Sequence, residues 1–143
     1  MSIPGKIKEF IESCPFLEEF EQATFSVVNV DHLEEGTAAY SIESTPAEPI
    51  VKRYASGDTE RQYVFSLCSR VLYSPAENLK TSEFYEKFSG WLEECTRTGA
   101  LPKLSGQLQS KSIRATTDGY LYDNQGTSCQ YRIQCQFVYF KRR

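Results

Sequence analysis

The run from Thr59 to Tyr73 limits what this chain can fold into more than any other stretch. Tyr63, Phe65, Leu67, Val71 and Tyr73 alternate on one side of it, with Val64, Cys68 and Leu72 on the other. A period of two is the signature of a strand. A strand that is apolar on both sides at its middle belongs inside a sheet, not at its edge. Pro75 stops it, and the rest of the chain must supply its neighbours and its cover.

The neighbours are legible from the same period. Phe25 to Val30 is apolar and β-branched, an acidic Gly-containing turn follows at Asp31 to Gly36, and Ala38, Tyr40 and Ile42 then alternate. This reads as a strand paired back onto its predecessor. Thr45 to Pro49 is a Pro-punctuated break, Ile50 to Tyr54 a short strand, and Ser56-Gly57-Asp58 a turn. After a loop from Leu101 to Gln109, the C-terminal part reads as one long hairpin. Lys111 to Asp123 forms one arm, Asn124-Gln125-Gly126 the turn, and Thr127 to Lys141 the other arm. Asp118-Gly119 predicts a bulge or bend within the first arm.

Two amphipathic helices supply the cover. Ser2 and Pro4 start the first, in which Ile3, Ile7, Phe10, Ile11 and Cys14 fall on one stripe, and Pro15 ends it. Phe16, Leu17 and Phe20 continue an apolar edge into a segment that reads as irregular or as a short helical turn. In the second helix Ser82 is the expected N-cap, Glu83 and Glu86 suit the positive end of the helix dipole, and Gly99 marks the stop. Phe84, Phe88, Trp91, Leu92 and Cys95 form its stripe, which must lie across the sheet. With no repeat, linker or low-complexity tract, residues 1–143 read as one α+β domain, mostly antiparallel.

The chain has 143 residues and a formal net charge of −3, too small a charge to imply nucleic-acid or membrane attraction by itself. The charge is unevenly spread. Eight acidic residues and no Lys or Arg lie from Glu9 to Glu35, while eight basic residues and only Asp118 and Asp123 lie from Arg97 onward. Such polarity either marks two solvated faces or orients stacked subunits. There is no apolar run of signal-peptide length and none near the ~20 residues of a membrane span, so the expected location is the cytoplasm of the producing cell. Five cysteines, an odd number, suit free thiols in a reducing compartment.

Chemistry is hard to assemble from these residues. Cys129 and Cys135 lie on one strand, about 20 Å apart, which excludes both a mutual disulfide and a shared zinc. They read as small core fillers, as do Cys14, Cys68 and Cys95. The single histidine, His32, sits in the acidic turn, leaving Cys or Ser nucleophiles without an evident base. No phosphate loop or dinucleotide fingerprint is present, and the adjacent pairs Glu18-Glu19, Glu34-Glu35 and Glu93-Glu94 do not aim two carboxylates at one substrate. Tyr40, Tyr54, Tyr63, Tyr120, Tyr122, Tyr131 and Tyr139 fall on presumed strands, where core and subunit-contact roles outweigh base stacking. The reading is of a non-enzyme without cofactor or metal.

Three strings carry a resemblance: PIVKRYASGDTERQYVFSLCSR (49–70), SEFYEKFSGWLEE (82–94) and ATTDGYLYDNQGTSCQYRIQCQFVY (115–139). In this order they resemble a family of minor capsid or tail-terminator proteins from phages and prophages of Gram-positive bacteria, over residues 3–140. The resemblance implies a curved sheet with helices against it. It also implies a hexameric ring that caps the tail tube, ends its polymerisation and joins it to the head-completion (stopper) protein, with DNA passing through the lumen. The implied place is the virion tail–neck junction, assembled in the host cytoplasm, with no membrane, cofactor or catalytic residue. Two further readings stand beside it: another small neck or minor capsid protein of head–tail joining, and a small-molecule-binding or thiol-dependent α+β domain.

A ring needs head-to-tail contacts, and open strand edges supply them by pairing. The candidate contact residues are Lys52, Arg53 and Tyr54 with Arg61 and Gln62; the polar set Gln130, Arg132, Gln134 and Gln136; and the basic tail Lys141, Arg142 and Arg143, suited to an acidic surface on a neighbour. For each strand set the alternative is a plain solvent face.

Overall fold

A computed structural model describes residues 2–14, 28–30, 39–72, 75–125 and 128–143 of the chain. The expected segment at Phe16 to Phe20, the turn at Asp31 to Gly36 with His32, and the hairpin tip at Gly126 lie outside them.

Two strands organise the molecule. β4 (Thr59–Leu72) and β7 (Ser128–Lys141) are each 14 residues long and pair antiparallel along their whole length, from Thr59 opposite Lys141 to Leu72 opposite Ser128. Each carries on its other side two shorter strands laid end to end. Against β4 lie β2 (Ala39–Thr45) and β3 (Ile50–Arg53), both antiparallel to it. Against β7 lie β5 (Leu108–Ala115) and β6 (Tyr120–Gln125), also antiparallel. β1 (Val28–Val30) adds a short outer strand beside β2.

The breaks between the short strands are built alike. Residues 46–49, with prolines at 46 and 49, face only Gln62 and Tyr63 of β4, because pairing stops at Thr45–Val64 and resumes at Ile50–Arg61. Residues 116–119, which include Asp118-Gly119, face only Ile133 and Gln134 of β7. In both places four residues span the space of two, so the short lane bows out and the sheet curves, as bulges do. The backbone is stitched across each gap. Gln62 N–H donates to Pro49 O (2.9 Å). Thr116 N–H donates to Gln134 O (2.7 Å), and Gln134 N–H to Thr117 Oγ1 (3.0 Å).

The helices cover one side of this sheet. α1 (Ile3–Glu12) begins where Ser2 Oγ accepts the Gly5 N–H at 3.1 Å, with Pro4 in the first turn. α2 (Pro75–Thr98) ends before Gly99, whose φ of 81° only glycine adopts without strain. Ile7 and Ile11 of α1 meet Phe84, Tyr85, Phe88 and Leu92 of α2 over Ile42, Phe65, Leu67, Ile113, Ile133, Cys135 and Phe137 of the sheet, all buried in one cluster. Phe10 stacks on Trp91 with ring centroids 4.8 Å apart, joining the helices at the rim of that cluster. The fold is thus α+β, a curved, mostly antiparallel sheet with two helices on it and a long C-terminal hairpin.

Three expectations need correction. β1 runs parallel to β2, with Val28 opposite Tyr40, and does not form a hairpin with it. Alternation fixes which side a residue faces but is the same for both strand directions. Ser82 is not the N-cap of α2, which starts seven residues earlier at Pro75, where the fixed φ of proline suits a first helical position. The first arm of the C-terminal hairpin bends near Asp118-Gly119 as expected, but it is two strands and not one continuous arm, because the gap at 116–119 takes four residues out of the pairing.

Candidate functional site

The sheet surface away from the helices carries an ordered polar network. By register it presents Glu43, Gln62, Val64, Ser66, Cys68, Arg132, Gln134 and Gln136. Arg114 Nε donates to Gln136 Oε1 (3.2 Å), Gln136 Nε2 to Gln62 Oε1 (2.7 Å), and Gln62 Nε2 to Glu48 O (2.8 Å), a chain running across β5, β7 and β4. A second crossing joins Arg132 of β7 to Glu43 of β2 at 2.9 Å, bridging over β4. Ser66 and Cys68 on that part of β4 are buried. Fixing long side chains in this way removes rotamer entropy before any partner arrives.

Arg132, Gln134 and Gln136 of β7 therefore do share a side with Gln62, and two of them, Arg132 and Gln136, are already paired within the chain. Gln134 serves mainly through its backbone, which holds the 116–117 gap. Gln130 lies opposite Arg70 and Asp123 in the pairing. Arg61 is turned to the other side of β4, where its Nε donates to Thr59 Oγ1 at 3.0 Å. Sequence reasoning did not single out Glu43 or Arg114, because only the strand register brings them to Arg132 and Gln136.

Lys52, Arg53 and Tyr54 lie at one corner of the sheet, all exposed. β3 pairs with β4 alone among the described strands, so its outer side is an open edge. Tyr54 N–H donates to Asp58 O (3.0 Å), and by antiparallel alternation the backbone N–H and C=O of Arg53 point away from β4. Lys52 Nζ sits 5.0 Å from the centre of the Tyr54 ring, and that ring lies 5.8 Å from Phe140. Beside this edge a shallow hollow of about 290 Å³ is lined by Glu48, Pro49, Ile50 and Arg53.

The basic tail is tied to the same corner. Arg142 N–H donates to Gln107 O (2.9 Å), Gln107 Nε2 to Arg143 O (3.3 Å), and Arg143 N–H to Asp58 Oδ1 (2.8 Å). Gly57, at φ 95°, leaves room for the Arg143 stem, which a Cβ there would meet at 2.6 Å. These bonds use the tail's backbone, and Lys141, Arg142 and Arg143 remain exposed, with Lys141 across β4 from Arg53.

Two other hollows bear on the ligand-binding alternative. One of about 320 Å³ lies between α1 and the segment after α2, lined by Lys6, Phe10, Ser13, Leu101, Pro102 and Lys103 among others. The other, about 390 Å³, lies between α2 and the 116–119 gap, with Ser82, Glu86, Ser89 and Asp118 around Tyr85 and Gly119. No cysteine lines either one, and Cys14, Cys68, Cys95 and Cys135 are all buried. Burial pushes the Cys135 thiol far above its ordinary range, and burial followed by the Glu94 charge raises Cys95. Both are poor nucleophiles for that reason. Among the described residues no group of three His, Cys, Asp or Glu side chains is placed to hold a metal, and no helix is long and apolar enough to cross a membrane.

No protein-family model and no curated protein matches the chain.

Proposed function

We propose that this chain is a structural protein of the phage tail–neck junction, a tail terminator that forms a hexameric ring on the tail tube, ends its polymerisation and binds the head-completion protein. The proposal starts from the resemblance carried by residues 49–70, 82–94 and 115–139, and the α+β fold with a curved sheet accords with it. The observation that carries it is the open edge of β3. There Val51 and, at the strand's end, Tyr54 are exposed beside the cations Lys52 and Arg53, on a strand that pairs with β4 alone among the described strands. Soluble proteins protect such an edge unless it is used, and pairing between subunits is how an edge is used in assembly.

The test is the mass in solution by light scattering, alone and with the tail-tube protein from the same gene cluster. A six-fold mass, or a ring on tube ends by electron microscopy, is the expected result. A chain that stays monomeric at high concentration and ignores the tube overturns the reading and returns weight to another neck protein.

A further inference from the structure

The described residues expose only three large apolar side chains: Val51 (49%), Tyr54 (36%) and Tyr120 (41%). They are not scattered. Val51 and Tyr54 belong to β3 and its end, and Tyr120 opens β6. β3 pairs with the first residues of β4, whereas β6 pairs with the first residues of β7, which lie opposite the last residues of β4. The two strands are therefore at diagonally opposite corners of the sheet. Each pairs with one neighbour only among the described strands.

The remaining edges are better covered. Thr96 of α2 lies against β5, where its hydroxyl donates to Ile113 O (2.6 Å) and accepts from Ile113 N–H (3.1 Å). β2 is covered by β1, against which α1 packs. Sheet edges left open with exposed apolar side chains invite pairing with another chain.

The charges on the two open corners are opposite. Lys52 and Arg53 give the β3 corner two positive charges and no negative one between Ile50 and Tyr54. The stretch Asp118 to Gln125 that forms β6 and its approach has two negative charges, Asp118 and Asp123, and no positive one. Complementary charge selects partner and register more than it adds affinity.

Resting on the ring reading above, we infer that the β3 edge of one copy pairs with the β6 edge of the next, the basic β3 corner of one copy meeting the acidic stretch from Asp118 to Asp123 of the other. Two unlike patches on one molecule make a heterologous contact, and repetition of that contact closes into a ring if the rotation allows. Val51, Tyr54 and Tyr120 are the apolar part of the contact, buried when the edges meet.

The experiment uses two full-length double variants, K52E/R53E and D118K/D123K, each checked for native circular dichroism. In either variant alone the two edges carry like charge, so self-association measured by sedimentation velocity should weaken at least tenfold from wild type. An equimolar mixture of the two restores opposite charges at every contact and should assemble again. High salt should blunt the difference. If wild type associates and each variant alone does so equally well, the edge pairing is overturned while the ring reading stands. If the mixture assembles no better than its parts, the pairing is likewise overturned. Should wild type form no ring even with tail-tube protein, the ring reading fails first and the inference with it.

Discussion

Gly119 lies against the ring of Tyr85, so close that a methyl group on it would come within 2.6 Å of the Tyr85 Cβ and 2.7 Å of two ring carbons. The contact pins the gap between β5 and β6 onto α2. Tyr85 is buried, and its hydroxyl lies 2.8 Å from Ser69 Oγ and donates toward Tyr131 O at 3.2 Å. One aromatic side chain thus links α2, β4, β7 and the gap. Gly119→Ala has to push the gap off the helix. The expected cost is about 1–3 kcal/mol, read as a lower urea midpoint with unchanged slope. An alanine variant as stable as wild type would mean that the gap moves freely against Tyr85.

Thr96 guards the β5 edge with a single hydroxyl that satisfies both backbone groups of Ile113. Thr96→Val keeps the shape and removes both bonds, leaving a donor and an acceptor unpaired at a partly buried position. The expected loss is about 1–3 kcal/mol, together with faster hydrogen exchange at the Ile113 amide. Unchanged exchange there would show that another group protects this edge.

Much of this architecture could be read from the chain itself, and what escaped did so for identifiable reasons. β4 and the two helix stripes follow from periodicity because long apolar patterns have few alternatives: Phe65, Leu67, Phe84, Phe88 and Leu92 are all buried as expected. The parallel β1–β2 pairing escaped because direction leaves no mark on alternation. The start of α2 at Pro75 escaped because Ser82 offers a good cap that the longer helix ignores. At the candidate surfaces, the basic β3 corner was legible as a run of charges. The links from Arg132 to Glu43 and from Gln136 to Arg114 needed the register between strands far apart in sequence.

Because Arg132 is bridged to Glu43, the simple charge reversal Arg132→Glu tests two things at once. It would impair an interface on this side of the sheet, and it also sets two carboxylates together above buried Ser66 and Cys68. The fold penalty, for side chains 18% and 29% exposed, is on the order of 1–2 kcal/mol. The swap Glu43→Arg with Arg132→Glu should recover most of that stability in a denaturant titration. Assembly can then be compared between the swap and wild type at equal stability. A swap that assembles normally removes Arg132 from the contact residues; a swap no more stable than Arg132→Glu would show that the bridge does not hold these strands.

The buried thiols give the last test, one of stability at alkaline pH. With Cys14, Cys68, Cys95 and Cys135 buried, a thiol reagent added to the native chain should label Cys129 at most, and unfolding should release the rest. The folded chain keeps Cys135 protonated, chiefly through burial and then through the neighbouring Cys68, at pH values where the unfolded chain ionises it. The native state then binds more protons than the unfolded state. Stability from this group is therefore complete below the ordinary thiol range and falls as pH rises above about 8.5, by up to about 1.4 kcal/mol per pH unit. Cys135→Ala leaves a small cavity and begins less stable, but lacks this slope. In urea titrations from pH 7 to pH 10 the gap between wild type and Cys135→Ala should narrow, since the other titrating groups cancel in the difference. A gap that stays constant across that range would mean that Cys135 ionises in the folded chain as readily as in the unfolded one.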